Sequence, residues 1–389
     1  MAEQNVNWQR YAVCYTLTLL LLAVLVCAIN AVVDPHGRLL LVDTAHFNQA
    51  KVAVAPNSRA GKATNLRQCD YDLIILGSSR AESGIRVDQP DLRGTSTYNA
   101  ALKAASMYEM RRLIEYTLEH QDLQAVIIGL DFVSFSAHIL TRADFAQSAL
   151  VETETPASLM RYLFSWVTLQ ESFTTWRLNK AEQASICGDN GEHKPRPGAP
   201  QETDARTNFD FILNRYSTRQ YDTYHYGEIH FEHLDMALRD LAARDVKVYA
   251  YISPIHALLG ELIVEKGLGN DYRDWKRRLV GIFEDSAVLF SAAKPPELWD
   301  FSGYNLITTE ALPKSQPGGQ MKGYTDPAHY RKAVGDLILK RMLAPSAEEA
   351  FGERLTRENI EQVLADEQRD SQQYRNDNQV EIERLRTRL

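Results

Sequence analysis

The chain has 389 residues, of which 44% are hydrophobic and 24% charged, and this composition excludes a wholly disordered protein. The formal net charge of -8 argues against a surface that binds phosphate backbones, so we expect no nucleic-acid partner. The length fits one large domain with insertions or two modest domains.

The first predicted element is an apolar segment near the N-terminus. Residues 11–33 carry no charged side chain, and a helix of that length would cross a hydrocarbon core of about 30 Å. Asp34 and Pro35 end the segment, because aspartate is costly in lipid and proline cannot continue a helix. We therefore predict a transmembrane anchor within residues 1–36. A cleaved signal peptide is the alternative, although the apolar run is long for one.

An α/β domain is predicted over residues 37–345, and residues 37–70 link it to the anchor. Short buried strands alternate with amphipathic helices, which is typical of a parallel, doubly wound sheet with its site at the carboxyl ends of the strands. The predicted strands cover residues 71–77, 96–99, 125–129, 246–252 and 298–301, and the predicted helices cover 106–120, 155–182, 230–243, 272–284 and 330–342.

Two segments depart from this alternation. A helical and loop insertion is predicted around residues 150–225, and its polar loop at 187–208 is long enough to be functional or flexible. Residues 346–389 are rich in Glu, Arg, Gln and Asn and carry only a broken apolar stripe. We predict that this tail is helical or partly disordered.

Four cysteines are present, two of them in the apolar segment. Cys69 and Cys187 lie outside that segment, and neither belongs to a C-x-x-C motif, so we expect no metal site. We also expect no cofactor. In an oxidising compartment the two would form a disulfide, and two free thiols are the alternative.

The strongest local signal is Gly77-Ser78-Ser79-Arg80, directly after a predicted buried strand. If a helix begins there, its free N–H groups would point at an oxyanion formed beside Ser79, which acyl transfer requires of a nucleophile's surroundings. The alternative is an ordinary strand-to-helix turn in which Ser78 or Ser79 is the N-cap.

The second signal is Asp326-Pro327-Ala328-His329. His329 would accept the serine proton, and Asp326 would hold the imidazole tautomer and stabilise its charged form. Pro327 suits the first turn of a following helix. The alternative is an aspartate N-cap beside a solvated histidine. Both signals occur in order at opposite ends of an α/β chain, which favours a catalytic site.

These motifs resemble those of the SGNH, or GDSL-like, hydrolase superfamily. The resemblance extends over roughly residues 71–343, and its four blocks correspond in order to residues 77–79, 98–106, 129–131 and 326–329. It implies a flavodoxin-like, three-layer α/β fold with Ser79, His329 and Asp326 as the catalytic residues.

The single anchor and the G-S-S variant are most similar to one subset of that superfamily, the membrane-tethered proteins that modify cell-surface polymers. This subset includes the D-alanyl transfer protein of teichoic-acid synthesis and the alginate and peptidoglycan O-acetylation proteins. The resemblance implies acyl transfer to an envelope polysaccharide, an extracytoplasmic (periplasmic) domain on a single-pass anchor, and a membrane-bound O-acyltransferase as partner. The alternatives are a glycan or lipid O-acyl esterase and a non-catalytic scaffold.

Two positions depart from the family pattern. The second block usually has a glycine whose N–H stabilises the oxyanion, where this chain has Ala101 or Ala104. The third block usually has an asparagine that donates a hydrogen bond, where Asp131 as a carboxylate would repel the oxyanion. We regard Ala104 and Asp131 as oxyanion or pocket candidates, together with Arg80 and His256.

Overall fold

The computed structural model describes residues 8–51, 55–151, 155–181, 187, 190–192, 204–312, 320–344 and 351–387. The strands are β1 (Leu73–Leu76), β2 (Thr97–Asn99), β3 (Ala125–Leu130), β4 (Lys247–Ile252), β5 (Glu297–Asp300), β6 (Tyr324–Asp326), β7 (His329–Tyr330) and β8 (Glu353–Arg354). The helices are α1 (Trp8–Val33), α2 (Arg59–Gln68), α3 (Ser79–Gly84), α4 (Met107–His120), α5 (Pro156–Leu163), α6 (Trp166–Lys180), α7 (Ala205–Arg215), α8 (Glu228–Ala243), α9 (Ala257–Glu265), α10 (Gly269–Ser286), α11 (Lys332–Leu343), α12 (Ile360–Asp377) and α13 (Gln379–Arg386).

A mostly parallel sheet of six strands makes this an α/β protein. The strand order is β2-β1-β3-β4-β5-β8, in which the first five strands are parallel and β8 pairs antiparallel at the edge. Every side chain of β1 is buried, as expected for an apolar strand covered on both faces. Because β1 and β3 are parallel neighbours, their carboxyl ends lie at the same edge of the sheet.

The chain divides into two compact units. The anchor unit comprises residues 1–69 and 142–189, and the sheet unit comprises residues 70–141 and 190–389. The segment predicted as a linker contains α2 and belongs to the anchor unit. The predicted insertion is shared between the two units, and the C-terminal tail belongs to the sheet unit.

Three predicted elements differ in the structure. The helix predicted over 155–182 is two helices, α5 and α6, and the Ser165 side chain caps the second by accepting from Thr168 N. In the loop predicted at 187–208, α7 already begins at Ala205, and residues 188–189 and 193–203 lie outside the described part of the chain. The last predicted helix begins at Lys332, because residues 329–330 form β7 instead.

Helix α1 is long and apolar enough to cross a membrane, and its apolar window is not buried in the protein. At the C-terminal end of α1, polar side chains of the anchor unit donate hydrogen bonds to the last backbone carbonyls of the helix. Asn48 Nδ2 donates to Val32 O at 3.0 Å and Val33 O at 3.2 Å, and Lys51 Nζ donates to Val33 O at 3.1 Å. The buried Asp34 carboxylate accepts from backbone N–H groups of the following turn, which fixes how the chain leaves the helix.

Where the structure describes the tail, it contains β8, α12 and α13, and ion pairs with buried side chains fix α12 to the rest of the sheet unit. Lys276 of α10 is fully buried, with Nζ 2.6 Å from Asp300 Oδ2 of β5, and it also donates to Glu367 of α12. Arg375 Nε donates to Glu261 Oε2 of α9 at 2.5 Å. The tail thereby supplies the partners of two buried charged side chains, Lys276 and Glu261.

Candidate active site

The turn after β1 gives its two serines different roles. Gly77 has φ +146°, and a Cβ there would lie 2.8 Å from the Cβ of Ala81, so only glycine allows this tight exit from the strand. Ser78 is the N-cap of α3, and its Oγ accepts from Arg80 N at 3.2 Å. Ser79 is the first helical residue and does not serve as the cap, which leaves its hydroxyl for another partner.

The second motif forms a β-hairpin in place of the predicted helix start. Strands β6 and β7 pair antiparallel, with Asp326 opposite His329. Asp326 Oδ1 accepts from Ala328 N at 2.8 Å and His329 N at 3.1 Å, so the carboxylate closes the turn. The same carboxylate lies 2.8–2.9 Å from His329 Nδ1. One short turn thus holds the acid and the imidazole together.

The structure brings these two motifs together. Ser79 Oγ lies 2.8 Å from His329 Nε2, although 250 residues separate them along the chain. Because Nδ1 faces the Asp326 carboxylate, it carries the ring proton, and Nε2 is left to accept from the serine hydroxyl. The Asp326 side chain is 11% exposed and that of His329 25% exposed, so the imidazole can be approached while its orienting carboxylate is shielded. This is the geometry of a serine with a general base.

Close packing holds the hairpin against α3. The Tyr330 ring approaches Gly84 so closely that a Cβ on that glycine would lie 2.2 Å from the ring. Tyr330 Oη lies 2.9 Å from Tyr251 Oη in a buried hydrogen bond. The residue after His329 is therefore fixed by both α3 and β4, which limits the movement of the imidazole.

His256 lies behind the hairpin as a buried cap and does not line a cleft. Its Nδ1 accepts from Leu258 N at 3.2 Å, its Nε2 lies 2.7 Å from Glu310 O, and its backbone N donates to Pro327 O at 3.0 Å. Burial lowers the pKa of His256 to about 4, so the ring is neutral at pH 7. His256 was predicted as a pocket residue, and in the structure it is the buried N-cap of α9.

Asp131 and Arg80 form a buried ion pair. Arg80 Nη1 lies 2.8 Å from Asp131 Oδ1, and the other carboxylate oxygen accepts from Ser78 Oγ. Arg80 Nη2 donates to Tyr216 Oη at 3.3 Å. Burial alone would lower the pKa of Arg80, but Asp131 and two neighbouring tyrosines more than offset this, so the pKa lies well above its ordinary value.

This pair accounts for the unusual aspartate in the third block. Both oxygens of Asp131 have hydrogen-bond partners, and the guanidinium of Arg80 balances its charge locally. Arg80 is buried and engaged within the protein, so it is not a freely exposed cation for an anionic acceptor.

The two candidate alanines, Ala101 and Ala104, differ in backbone geometry. Ala104 has φ +51°, in the left-handed region that favours glycine, and it is exposed. Ala101 is buried, and its N–H donates to Asn99 Oδ1 at 3.1 Å. Leu102 N donates to Gly77 O at 2.9 Å, which ties this loop to the Ser79 turn. Ala104 is therefore the better match to the glycine expected in this block.

Two residues beside the site were not predicted. Asn99 Nδ2 donates to Ala81 O at 3.0 Å and Ile85 O at 2.9 Å, which ties the end of β2 to α3. It is the last residue of the strand predicted over 96–99, and this place at the carboxyl end of a parallel strand was a usable signal. Tyr216, which contacts Arg80, follows α7 and lies in no recognisable motif.

The remaining predicted site residues are the two cysteines. Cys69 and Cys187 form a disulfide within the anchor unit. Within the described ranges, no group of three or more His, Cys, Asp or Glu residues is arranged to hold a metal ion. A cavity of about 260 Å³ lies between α9, α10 and α12 and includes none of the three residues of the hydrogen-bonded chain.

Comparison with known proteins adds no family assignment. No protein-family model matches the chain, and no curated protein matches it significantly.

Proposed function

We propose that the sheet unit is an SGNH-hydrolase-like domain that transfers an acyl group to an envelope polysaccharide. The observation that carries this proposal is the hydrogen-bonded chain from Ser79 through His329 to Asp326. The order β2-β1-β3-β4-β5 supports a flavodoxin-like sheet, in which sites form at the carboxyl ends of the strands. Ser79 follows such an end.

In the first half of the reaction, Ser79 Oγ attacks the carbonyl carbon of an acyl donor while His329 Nε2 takes the serine proton. The negative charge passes to the carbonyl oxygen, and Asp326 stabilises the imidazolium. The intermediate collapses to an acyl-serine, and His329 returns the proton to the departing group. A sugar hydroxyl then attacks the acyl-serine carbonyl while His329 takes its proton, and as the second intermediate collapses to the acylated glycan His329 returns that proton to Ser79 Oγ.

The oxyanion must be stabilised without the usual asparagine. The backbone N–H at Ala104 is our candidate donor, since this residue keeps the left-handed backbone that glycine would adopt. The Arg80 partner of Asp131 reduces the repulsion that a lone carboxylate would exert on the oxyanion. An esterase would use the same residues with water as acceptor, so the fate of the acyl-serine distinguishes the two activities.

We further propose that α1 anchors the chain in a membrane with the sheet unit on the extracytoplasmic side. The apolar length of α1 supports the anchor, and the Cys69–Cys187 disulfide supports an oxidising compartment. A membrane-bound O-acyltransferase is the proposed partner that supplies the acyl group. External protease added to spheroplasts should digest the sheet unit, and full protection of that unit would reverse the topology.

The proposed activity is tested in cells with Ser79→Ala and a matched control, Ser83→Ala, which changes another serine of the same short helix. A transferase predicts reduced glycan acylation in the Ser79→Ala strain alone, with unchanged protein level and membrane location. An esterase predicts increased acylation. An unchanged acylation pattern would leave the scaffold as the better account.

A further inference from the structure

The hairpin formed by α5, α6 and the turn between them exposes apolar side chains from the second half of α5 through most of α6. Six large apolar side chains between residues 160 and 176 are 40–67% exposed: Met160, Phe164, Trp166, Val167, Phe173 and Trp176. Scattered exposed apolar residues are normal on a soluble protein, but a cluster of this kind marks an interaction site. The four aromatic residues define what we call the aromatic tip: Phe164, Trp166, Phe173 and Trp176.

Helix α6 exposes large apolar side chains on its outward face. Its inward face, which includes Leu169 and Ser172, is buried, while Trp166 and Phe173 on the outward face are exposed. A helix at a water-facing surface normally carries polar residues on its outer side. The outward face of α6 therefore fits an apolar neighbour outside the protein.

The hairpin is fixed to the C-terminal end of α1 by polar contacts. Asn30 Nδ2 donates to Leu163 O at 2.8 Å and Ser165 O at 3.2 Å, and Ser172 Oγ donates to Asn30 Oδ1 at 3.1 Å. Tyr162 Oη donates to Asp34 Oδ1 at 2.7 Å. These bonds place the turn between α5 and α6 beside the last turns of the anchor.

The length of α1 determines how far the α5–α6 turn lies from the edge of a membrane that α1 crosses. Residues 8–22 are exposed nearly throughout, whereas Ala23, Val26, Cys27 and Asn30 are shielded along one face. The exposed stretch spans only about 22 Å at ~1.5 Å per residue, which is less than a hydrocarbon core of about 30 Å. To cross the bilayer, α1 must also place residues 23–30 in the hydrocarbon core. The turn between α5 and α6 is bonded to Asn30, so it lies at the same depth in the membrane.

We propose that the aromatic tip is a second membrane contact, seated at the boundary between the acyl chains and the headgroups of the bilayer. This proposal rests on the proposed anchoring by α1. Tryptophan and phenylalanine suit that boundary, and Arg177 and Lys180 at the far end of α6 are exposed where they can meet anionic headgroups. The occupant of the apolar surface is therefore lipid.

Tryptophan quenching in defined lipid tests the proposal. The full chain with Trp8→Phe and Trp176→Phe is reconstituted into vesicles of phosphatidylcholine and phosphatidylglycerol with brominated acyl chains. Trp166 is then the one exposed tryptophan, because Trp275 and Trp299 are buried. We expect brominated lipid to quench its fluorescence, and Trp166→Phe to abolish that quenching. Trp299→Phe is the matched control and should leave the quenching in place.

A second variant separates this proposal from the anchoring itself. Leu21→Trp, made in place of Trp166, reports on the exposed middle of α1. Quenching at both positions supports the second contact. Quenching at position 21 but not at Trp166 overturns it and assigns the aromatic tip to a protein neighbour. Quenching at neither position overturns the anchor proposal as well.

Discussion

Buried charges near the C-terminal end of α1 in the anchor unit and in the interior of the sheet unit are stabilised in different ways. In the anchor unit, Lys51 donates to the last carbonyl of α1, and the Asp34 carboxylate accepts from backbone N–H groups. In the sheet unit, buried charges face opposite charges, as in Arg80 with Asp131 and Lys276 with Asp300. A single substitution in the anchor unit removes the charge and leaves unsatisfied backbone. In the sheet unit it leaves the partner charge buried and uncompensated, which costs more.

The largest effect is therefore expected for Lys276→Met. It leaves the carboxylates of Asp300 and Glu367 without their cation, and we expect it to lower the free energy of unfolding of the sheet unit by about 3–5 kcal/mol. Urea denaturation monitored by the fluorescence of Trp275 and Trp299 measures this. Lys294→Met removes an exposed ion pair with Asp245 and should cost less than about 1 kcal/mol. Equal losses of unfolding free energy in Lys276→Met and Lys294→Met would contradict the importance given to the buried ion pairs.

The strands and the separate pieces of the site were predictable because their signals are local. Apolar runs predicted β1, β3 and β4, and each motif predicted its own residues. The hairpin at 324–330 was not predicted, since proline after aspartate also suits a helix start. Helix α2 was missed because its buried face includes Arg59, Lys62 and Asn65, so it shows no apolar stripe.

The Arg80–Asp131 pair could not be read from composition, because it depends on strand register. Leu76 of β1 pairs with Ile128 of β3, so the residues just beyond both strand ends come together. That register follows from packing between distant segments. The contact of Tyr216 with Arg80 could not be predicted for the same reason, because the two residues are 136 positions apart in the chain.

The second-largest effect that we expect is a dependence of the folding stability on pH, caused by His256. Its pKa is about 4 in the folded chain and about 6.5 unfolded, so the unfolded chain binds the extra proton between these values. Stability should therefore fall as pH falls from 6.5 to 4, by up to about 3 kcal/mol. Subtracting the pH profile of His256→Asn from that of the wild type isolates this contribution. The exposed His120→Asn is the control, and identical profiles for all three proteins would refute the assignment.

The smallest effect is expected for Lys51→Met in the anchor unit. It removes one charge from the C-terminal end of α1 and leaves the carbonyl of Val33 with Asn48 as its remaining side-chain donor. We expect a loss of about 1–2 kcal/mol, because the nearby buried Asp34 carboxylate keeps its own hydrogen bonds from backbone N–H groups and Tyr162 Oη when the lysine is removed. Hydrogen exchange of peptides from the anchor unit measures it. A loss as large as that of Lys276→Met would remove the distinction between the units.

The central claim, that Ser79 is an acylated nucleophile, is tested most directly by trapping the acyl-serine. The full chain in detergent is mixed with p-nitrophenyl acetate, quenched in acid, and mapped by peptide mass spectrometry. We predict an acetyl group on Ser79 that is absent in Ser79→Ala and forms at least roughly 10²-fold more slowly in His329→Gln, which lacks the general base. Acetylation at Ser83 or at lysines alone, or equal acetylation of Ser79 with and without His329, would contradict the account.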